Sequence, residues 1–299
     1  MLVLTLEKSG INKKMEETKP IRKPKWLKVK LPTGKKYREL RTLVDDKKLH
    51  TICESGNCPN MGECWHDGTA TFMILGNICT RSCGFCAVAT GKPLPADLEE
   101  PQRVADSIKA MNIKHAVITS VDRDDLSDGG STIWADTVKA IRKTSPGTTM
   151  ETLIPDFKMH KDELDRIIAV APDVVSHNLE TVRRLTKEVR IQAKYDRSLE
   201  VLLYLKEQGL RRTKSGIMLG LGETEEEVIE TMKDLIAAKV DILTIGQYLQ
   251  PSPKHLAVVD YPTPETYDKY RVIGLELGFK FVQSSPLTRS SYHAQDHLF

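Results

Sequence analysis

The sequence predicts an α/β fold: a partial (β/α)6 barrel of the TIM type with an extension at each end. Three observations lead to this prediction. Six apolar runs of strand length alternate along the chain with six helical patterns, which is typical of parallel strands covered by helices. Capping signals mark the start of several of these helices. The chain has 299 residues, a length that one large barrel domain commonly reaches.

The predicted strands and helices form six successive pairs. Apolar runs predict strands at residues 72–75, 115–120, 148–154, 173–178, 214–219 and 242–248. Helical spacing of apolar residues predicts helices at residues 101–111, 132–143, 161–170, 199–208, 224–238 and 264–277. Thr224 and Glu227 have the spacing of a capping box, and Pro264 suits the first turn of a helix.

Charge and composition divide the chain into four predicted segments. These are a flexible basic arm, an N-terminal extension with three cysteines, the barrel and a C-terminal segment, at residues 1–25, 26–70, 71–280 and 281–299. The first fifty residues contain 15 Lys and Arg but 6 Asp and Glu, whereas the rest of the chain is net acidic. Because few aromatic residues interrupt these basic residues, a solvated arm is favoured over one that binds nucleic acid.

Composition argues against a membrane protein and a secreted protein. Charged residues at 28% and hydrophobic residues at 40% are typical of an ordinary globular domain. No apolar run approaches the ~18–20 residues of a transmembrane helix, and the apolar start of the chain is too short for a signal peptide. Six free thiols would oxidise outside the cell, so we expect a cytoplasmic protein.

The six cysteines carry the strongest chemical signal. They form a first triad with the spacing C-x4-C-x5-C and a second triad with the spacing C-x3-C-x2-C: Cys53, Cys58 and Cys64, then Cys79, Cys83 and Cys86. Such a concentration of thiols indicates a soft metal. Three thiolates can hold an iron–sulfur cubane with one iron open to another ligand, whereas a structural zinc site needs four ligands, which His66 could complete. Disulfides are disfavoured because a chain of this length can bury a core without them.

Ordinary catalytic motifs are missing from the sequence. It contains no G-x-S-x-G elbow, no H-E-x-x-H motif and no Walker loop. The acidic residues at 122–125 are more typical of turns and caps than of acid–base catalysis. We therefore expect no acid–base catalytic residue, and chemistry at the cysteines, where the barrel strands end.

The second triad resembles the signature of radical S-adenosylmethionine (SAM) enzymes. It lies in residues 79–86, CTRSCGFC, with an aromatic residue directly before the last cysteine, as in that superfamily. The first triad and residues 289–292, RSSY, narrow the resemblance to the lipoyl synthase family. The similarity covers about residues 40 to 295 and depends on three separated motifs.

The resemblance implies two [4Fe–4S] clusters with different roles. The second triad would bind the cluster that holds SAM. The first triad would bind an auxiliary cluster, carried by the two extensions, whose sulfur is consumed and whose fourth ligand is a serine. We assign Ser291, with Ser290 as the alternative. An alkoxide ligand is harder than a thiolate, so this iron should be lost more easily.

The resemblance also places SAM contacts at the ends of two strands. Asn178 and Glu180 follow the fourth predicted strand, where the family binds the ribose. Gly220 and Glu223 belong to a run, residues 216–223, that is similar to the adenine-side motif of the family. Two structural alternatives stay open: Glu223 could cap the next helix, and Glu180 could be a surface carboxylate.

The implied reaction inserts two sulfur atoms, at C6 and C8 of an octanoyl chain attached to a lysine of a lipoyl carrier protein. The implied carriers are lipoyl domains of 2-oxoacid dehydrogenases and the glycine cleavage H protein, and the implied electron donor is a flavodoxin or ferredoxin. The basic arm could steer acidic carriers. The alternatives are another sulfur-inserting radical SAM enzyme, of the biotin synthase or methylthiotransferase type, and a non-catalytic zinc module.

Overall fold

The computed structural model describes residues 22–28, 41–42, 50–55, 58, 60–66 and 69–298. The predicted basic arm lies outside these residues except for its last four positions, so its flexibility stays a prediction. None of the helices in the described residues combines the length and the apolar character that a bilayer crossing requires.

An eight-stranded sheet organises the fold. The strands in chain order are β1 His50–Thr51, β2 Thr69–Ile74, β3 Ile78–Cys79, β4 Ala89–Thr90, β5 His115–Ser120, β6 Thr149–Leu153, β7 Val174–Ser176, β8 Thr213–Leu219, β9 Ile242–Gln247 and β10 Phe281–Ser284. The sheet has the order β1-β2-β5-β6-β7-β8-β9-β10, and β3 and β4 form a separate parallel pair. β1 runs antiparallel to β2, and the other pairings in the sheet are parallel.

The six predicted strands are present as β2 and β5 to β9, which confirms the parallel α/β prediction. Two further strands of this sheet, and the short pair β3 and β4 outside it, were not predicted. β1 lies in the N-terminal extension, and β10 continues the sheet just past residue 280, where the prediction ends the barrel. β10 pairs in parallel with β9 at four positions, so it adds a seventh parallel strand.

The helices cover the sheet, and the six predicted helices are among them, with ends that differ from the prediction by up to four residues. They are α1 Ile52–Ser55, α2 Met61–His66, α3 Glu100–Ala110, α4 Ser131–Thr144, α5 Lys161–Val170, α6 Thr186–Val189, α7 Tyr195–Glu207, α8 Glu225–Ala237 and α9 Pro264–Leu277. The predicted capping box is present before α8: the Glu227 N–H donates to Thr224 Oγ1 at 3.3 Å, and the Thr224 N–H donates to Glu227 Oε2 at 2.9 Å. The chain leaves α9 through Gly278, whose φ of 112° favours glycine.

The main core lies between the sheet and the helices. Trp134 and Leu164 on one half of the barrel, and Leu202 and Met232 on the other, are completely buried in two apolar clusters. Burial of each such side chain contributes roughly 1.5–3 kcal/mol. Successive side chains of a strand point to opposite faces of the sheet, so other strand residues face away from the helices. Lys214 of β8 is a polar residue on that face.

Among the parallel pairings of the sheet, the one between β7 and β8 is the shortest, and this shapes the site. β8 pairs with β9 at six positions, whereas β7 pairs with β8 at two. The chain after β7 leaves the ladder at residues 177–179 and returns at Glu180, which forms an isolated bridge with Ile217. The side chains of this stretch are therefore available to line a cavity at the ends of the strands.

Candidate active site

A cavity of about 380 Å³ lies where the parallel strands end. Its lining comes from β2, β5, β6, β8 and β9, from the loop of the second triad and from the C-terminal segment, and includes Met73, Thr119, Leu153, Gly216, Gln247 and Ser290. All three cysteines of the second triad border it. The prediction that the site lies at the strand ends agrees with this geometry.

The second triad is held by backbone hydrogen bonds from neighbouring loops. The N–H groups of Arg81 and Asp122 point at the Cys79 sulfur, at 3.4 Å and 3.3 Å. The N–H of Thr80 donates to the carbonyl of Asp122 at 3.0 Å and links this loop to the one after β5. N–H groups directed at a sulfur stabilise its thiolate and tune a bound cluster.

The thiols of the second triad are difficult to ionise without a metal. Burial, with a smaller contribution from nearby carboxylates, raises the pKa of Cys83 to about 12 and that of Cys86 to about 11. The guanidinium of Arg190 acts in the opposite direction on Cys83. Metal ligation needs the thiolate, so a cation at this site would be bound with release of protons.

Arg81 braces the cysteine loop against two other loops. Its guanidinium binds both carboxylate oxygens of Asp124 at 2.8 Å and 2.9 Å and one oxygen of Asp156 at 2.8 Å. Arg197 binds the other oxygen of Asp156 at 2.7 Å. Burial opposes ionisation of Asp156, but the charge of Arg81 outweighs it and lowers the pKa of this carboxyl. Both carboxylates are thus occupied as structural partners of arginine side chains.

Asn178 and Glu180, two of the predicted SAM contacts, lie together in the cavity wall. The Asn178 amide donates to Glu180 Oε1 at 3.0 Å. Burial raises the pKa of Glu180, which has a positive φ of 64°. The buried Asn178 Oδ1 and Ser120 Oγ have no hydrogen-bond partner, so the cavity offers polar groups that a nucleoside could satisfy. A Cβ on Gly216 would stand 3.1 Å from Asn178 Oδ1 and fill this space.

Gly220 and Glu223, the other two predicted contacts, are not among the described residues that line the cavity. Glu223 Oε2 accepts the N–H groups of Gly220 and Leu221 at 2.9 Å and 3.0 Å and closes the turn after β8. Gly220 has a φ of 104°, and its Cα faces the amide of Gln247 so closely that a Cβ would lie 2.2 Å from Nε2. The geometry of both residues is that of a tight turn beside the cavity.

The first triad faces the C-terminal segment, more than two hundred residues away in sequence. Burial raises the pKa of Cys58, and the charge of Arg289 acts against it. The Asn60 amide donates to the Leu287 carbonyl at 2.7 Å. The Tyr292 hydroxyl contacts Glu63 at 3.2 Å, and Tyr292 and Cys64 lie against the same narrow gap between side chains. The structure therefore brings the RSSY motif to the first triad.

The two serine candidates occupy different positions in this segment. Ser290 borders the main cavity, and its carbonyl accepts a hydrogen bond from Lys214. Ser291 follows it and precedes Tyr292, which lies beside Cys64. In the described residues no three His, Cys, Asp or Glu side chains converge on a single metal ion. A cubane needs no such convergence, because each thiolate binds a different iron, so the donor set of each triad fits a cluster.

Several buried residues at the site were not predicted. Arg190 is 6% exposed and borders the cavity, and Lys214 and Glu151 are completely buried together. Lysine and arginine are rarely buried, and no spacing in the sequence distinguishes these from surface residues. His177 was also overlooked, although it follows a strongly apolar strand.

His177 gives the protein a pH-dependent stability. Burial lowers its pKa to about 4, and its ring nitrogens contact the Ile154 carbonyl and Ser198 Oγ, both at 2.9 Å. In the unfolded chain His177 takes up a proton with a pKa near 6.5, whereas in the folded chain it stays neutral until the pH approaches 4. Stability therefore falls as the pH drops from 6.5 toward 4. We expect a loss of about 2 kcal/mol from this residue between pH 7 and pH 5.

Thermal unfolding of the anaerobic protein at pH 7, 6 and 5 measures this effect. His177→Gln should flatten the fall in melting temperature over that range, whereas the control His160→Gln, at an exposed position, should not. Parallel pH curves for the wild type and His177→Gln would contradict the assignment.

Two family models and several known proteins match the sequence of this chain. The family model described as the radical SAM superfamily matches residues 73–235, and the model described as the N-terminal domain of lipoyl synthase matches residues 4–58. The lipoyl synthase of Flavobacterium psychrophilum is 71% identical over 279 residues, which are 93% of this chain and 96% of the relative. The mitochondrial lipoyl synthase of Nematostella vectensis is 71% identical over 276 residues, 92% of this chain and 95% of the relative.

A solved structure of low identity supports the fold alone. The FeFe-hydrogenase maturase HydG from Carboxydothermus hydrogenoformans superposes with a TM-score of 0.59 and 15% identity, covering 87% of this chain and 68% of that one. The two family models and the two relatives identify the family. The chain belongs to the lipoyl synthase family of the radical SAM superfamily.

Proposed function

We propose that this chain inserts two sulfur atoms, at C6 and C8, into an octanoyl chain attached to a lysine of a lipoyl carrier protein. The observation that supports this proposal most directly is that the second triad borders the strand-end cavity, while the first triad faces the RSSY motif, whose Ser290 borders the same cavity. Each insertion replaces a C–H bond by a C–S bond and consumes one SAM molecule. The reaction thus needs a radical generator and a sulfur store in one chain.

The proposed ligand sets are those of the sequence prediction. The second triad holds one [4Fe–4S] cluster, and the first triad with Ser291 holds the other. When bound, the cluster of the second triad, together with SAM, would supply a carbon radical able to take hydrogen from an unactivated C–H group. The cluster of the first triad would supply the sulfur.

The residues of the chain prepare this chemistry by position rather than by proton transfer. The Arg81 ion pairs fix the cysteine loop at the cavity wall. Asn178 and Glu180 bind the ribose of SAM, while Gly220 and Glu223 act indirectly by fixing the turn behind them. Apolar lining from Met73 and other strand-end residues excludes water, which protects a radical from side reactions.

The partners are proposed from this chemistry. The substrates are octanoylated lipoyl domains of 2-oxoacid dehydrogenases and the octanoylated glycine cleavage H protein. A flavodoxin or ferredoxin supplies low-potential electrons. Six cysteine thiols would oxidise outside the cell, which favours the reducing cytoplasm as the compartment.

An anaerobic assay tests the proposed function. The purified chain should contain about eight irons, and with octanoylated H protein, SAM and a reductant it should give lipoylated H protein by mass spectrometry. Cys83→Ala should lose both SAM cleavage and product, since it removes a ligand of the second triad. Cleavage of SAM by the wild type without any change in the mass of the carrier would contradict the proposal.

A further inference from the structure

A buried ionic group lies inside the barrel, below the cavity. Lys214 Nζ contacts both carboxylate oxygens of Glu151, at 2.8 Å and 2.9 Å, and His297 Nδ1 at 3.1 Å. The side chains of these three residues are fully buried. Ser176 Oγ donates to Glu151 Oε1 at 2.6 Å. Isolated buried charges are very unfavourable, and here the pair and its hydrogen bonds compensate for that.

The same lysine reaches the segment that contains the RSSY motif. Lys214 Nζ donates to the carbonyl of Ser290, directly before the serine assigned as an iron ligand. His297, farther along the segment, belongs to the same ionic group. The lysine therefore fixes the segment at two points, both within the barrel interior.

Other contacts hold the segment at its edges. Thr288 packs on Gly246 of β9 so closely that a Cβ there would lie 2.2 Å from the Thr288 carbonyl oxygen. Thr69 Oγ1 donates to Gln295 Oε1 at 3.0 Å. In the part of the segment between these two contacts, the side chain of Lys214 donates to a main-chain carbonyl of the RSSY motif.

The proposed function requires that the segment stay in place when the auxiliary cluster is lost. If the auxiliary cluster is the sulfur source, each catalytic cycle destroys it, and the bond between the serine and iron is lost with it. A segment held by that bond alone would then be released. The ionic group contains no atom of the first triad, so it survives the loss of the cluster.

We propose that Lys214 is a positioning residue that keeps the Ser290–Ser291 segment at the first triad while the auxiliary cluster is absent, so that the cluster can be rebuilt in place. The inference rests on the proposed function, since it assumes an auxiliary cluster that is spent and restored. Glu151 supplies the compensating negative charge, and Glu151 and His297 together orient the lysine.

Two measurements test it on the full chain. In the first, the wild-type protein is stripped of iron with a chelator, and hydrogen exchange is followed in residues 288–292. The N–H groups of Thr288 and Tyr292 donate to carbonyls within the segment, at 3.0 Å each. We expect them to stay protected without iron. Loss of their protection on iron removal would overturn the inference.

The second measurement uses variants. Lys214→Met alone would leave Glu151 charged and unpaired, so the double variant Lys214→Met with Glu151→Gln is the informative one. Its matched control is Lys239→Met with Glu207→Gln, a surface pair at 3.0 Å. The rate of rebuilding of each cluster from iron and sulfide is followed by Mössbauer spectroscopy, which distinguishes the serine-ligated iron.

The double variant should rebuild the second-triad cluster at the wild-type rate but the auxiliary cluster roughly tenfold more slowly, the factor expected for a lost charge-assisted hydrogen bond. Equal rebuilding of both clusters in the double variant, the control and the wild type would overturn the inference and leave the proposed function intact. A wild-type protein that never holds a second cluster would overturn the proposed function itself.

Discussion

Replacing the three cysteines of the first triad with alanine is expected to abolish sulfur insertion while SAM cleavage continues. The second triad lies on a separate loop, held by Arg81 and Asp122 rather than by the first triad, so its cluster should still assemble. Loss of a residue that merely supports a metal ligand lowers affinity or activity by about 10–100-fold, and removal of all three ligands should exceed that. Mass spectrometry of octanoylated H protein and chromatography of 5′-deoxyadenosine measure the two activities separately.

The matched control removes the other triad. Replacing Cys79, Cys83 and Cys86 together with alanine should end SAM cleavage and sulfur insertion, because no SAM-binding cluster remains. Iron content should fall to about half in both variants. Sulfur insertion at the wild-type rate by the triple variant would show that the sulfur comes from elsewhere.

Gly216→Val is expected to weaken SAM binding by at least roughly tenfold without loss of iron. A Cβ at this position would lie 2.5 Å from Thr244 Oγ1 and 3.1 Å from Asn178 Oδ1. Overpacking of this kind costs about 1–3 kcal/mol, and here the strain falls on a residue proposed to contact the ribose. Equilibrium dialysis of SAM under anaerobic conditions gives the affinity, and iron analysis gives the cluster content.

Gly147→Val provides the control, because no atom lies within 4 Å of a Cβ added there. It should leave SAM affinity and melting temperature close to those of the wild type. If Gly216→Val also binds SAM normally, the cavity wall at Asn178 is not the SAM site.

The fold was predictable to the extent that local patterns determine it. The alternation of apolar strands and amphipathic helices predicted β2 and β5 to β9, and Pro264 marked the start of α9 correctly. β1 has two residues, too few for a periodic pattern to indicate it, and β10 has only two apolar residues, Phe281 and Val282, before Gln283 and Ser284. They form through pairing with β2 and β9, a tertiary effect that the sequence does not show locally.

The site was predictable where spacing carries chemistry. The cysteine spacings and the RSSY motif predicted two clusters, and the structure brings that motif to the first triad. Glu223 shows the limit, since one sequence position fits both a ligand contact and a turn, and its carboxylate binds the N–H groups of Gly220 and Leu221. Lys214 could not be predicted, because only the folded barrel reveals its burial beside Glu151.

The origin of the inserted sulfur tests the central claim most directly. The auxiliary cluster would be rebuilt anaerobically with heavy-isotope sulfide, and the protein would turn over once with octanoylated H protein and SAM in unlabelled sulfide. We predict that both sulfur atoms of the lipoyl product carry the heavy isotope. A product with unlabelled sulfur would contradict a sulfur store at Cys53, Cys58 and Cys64.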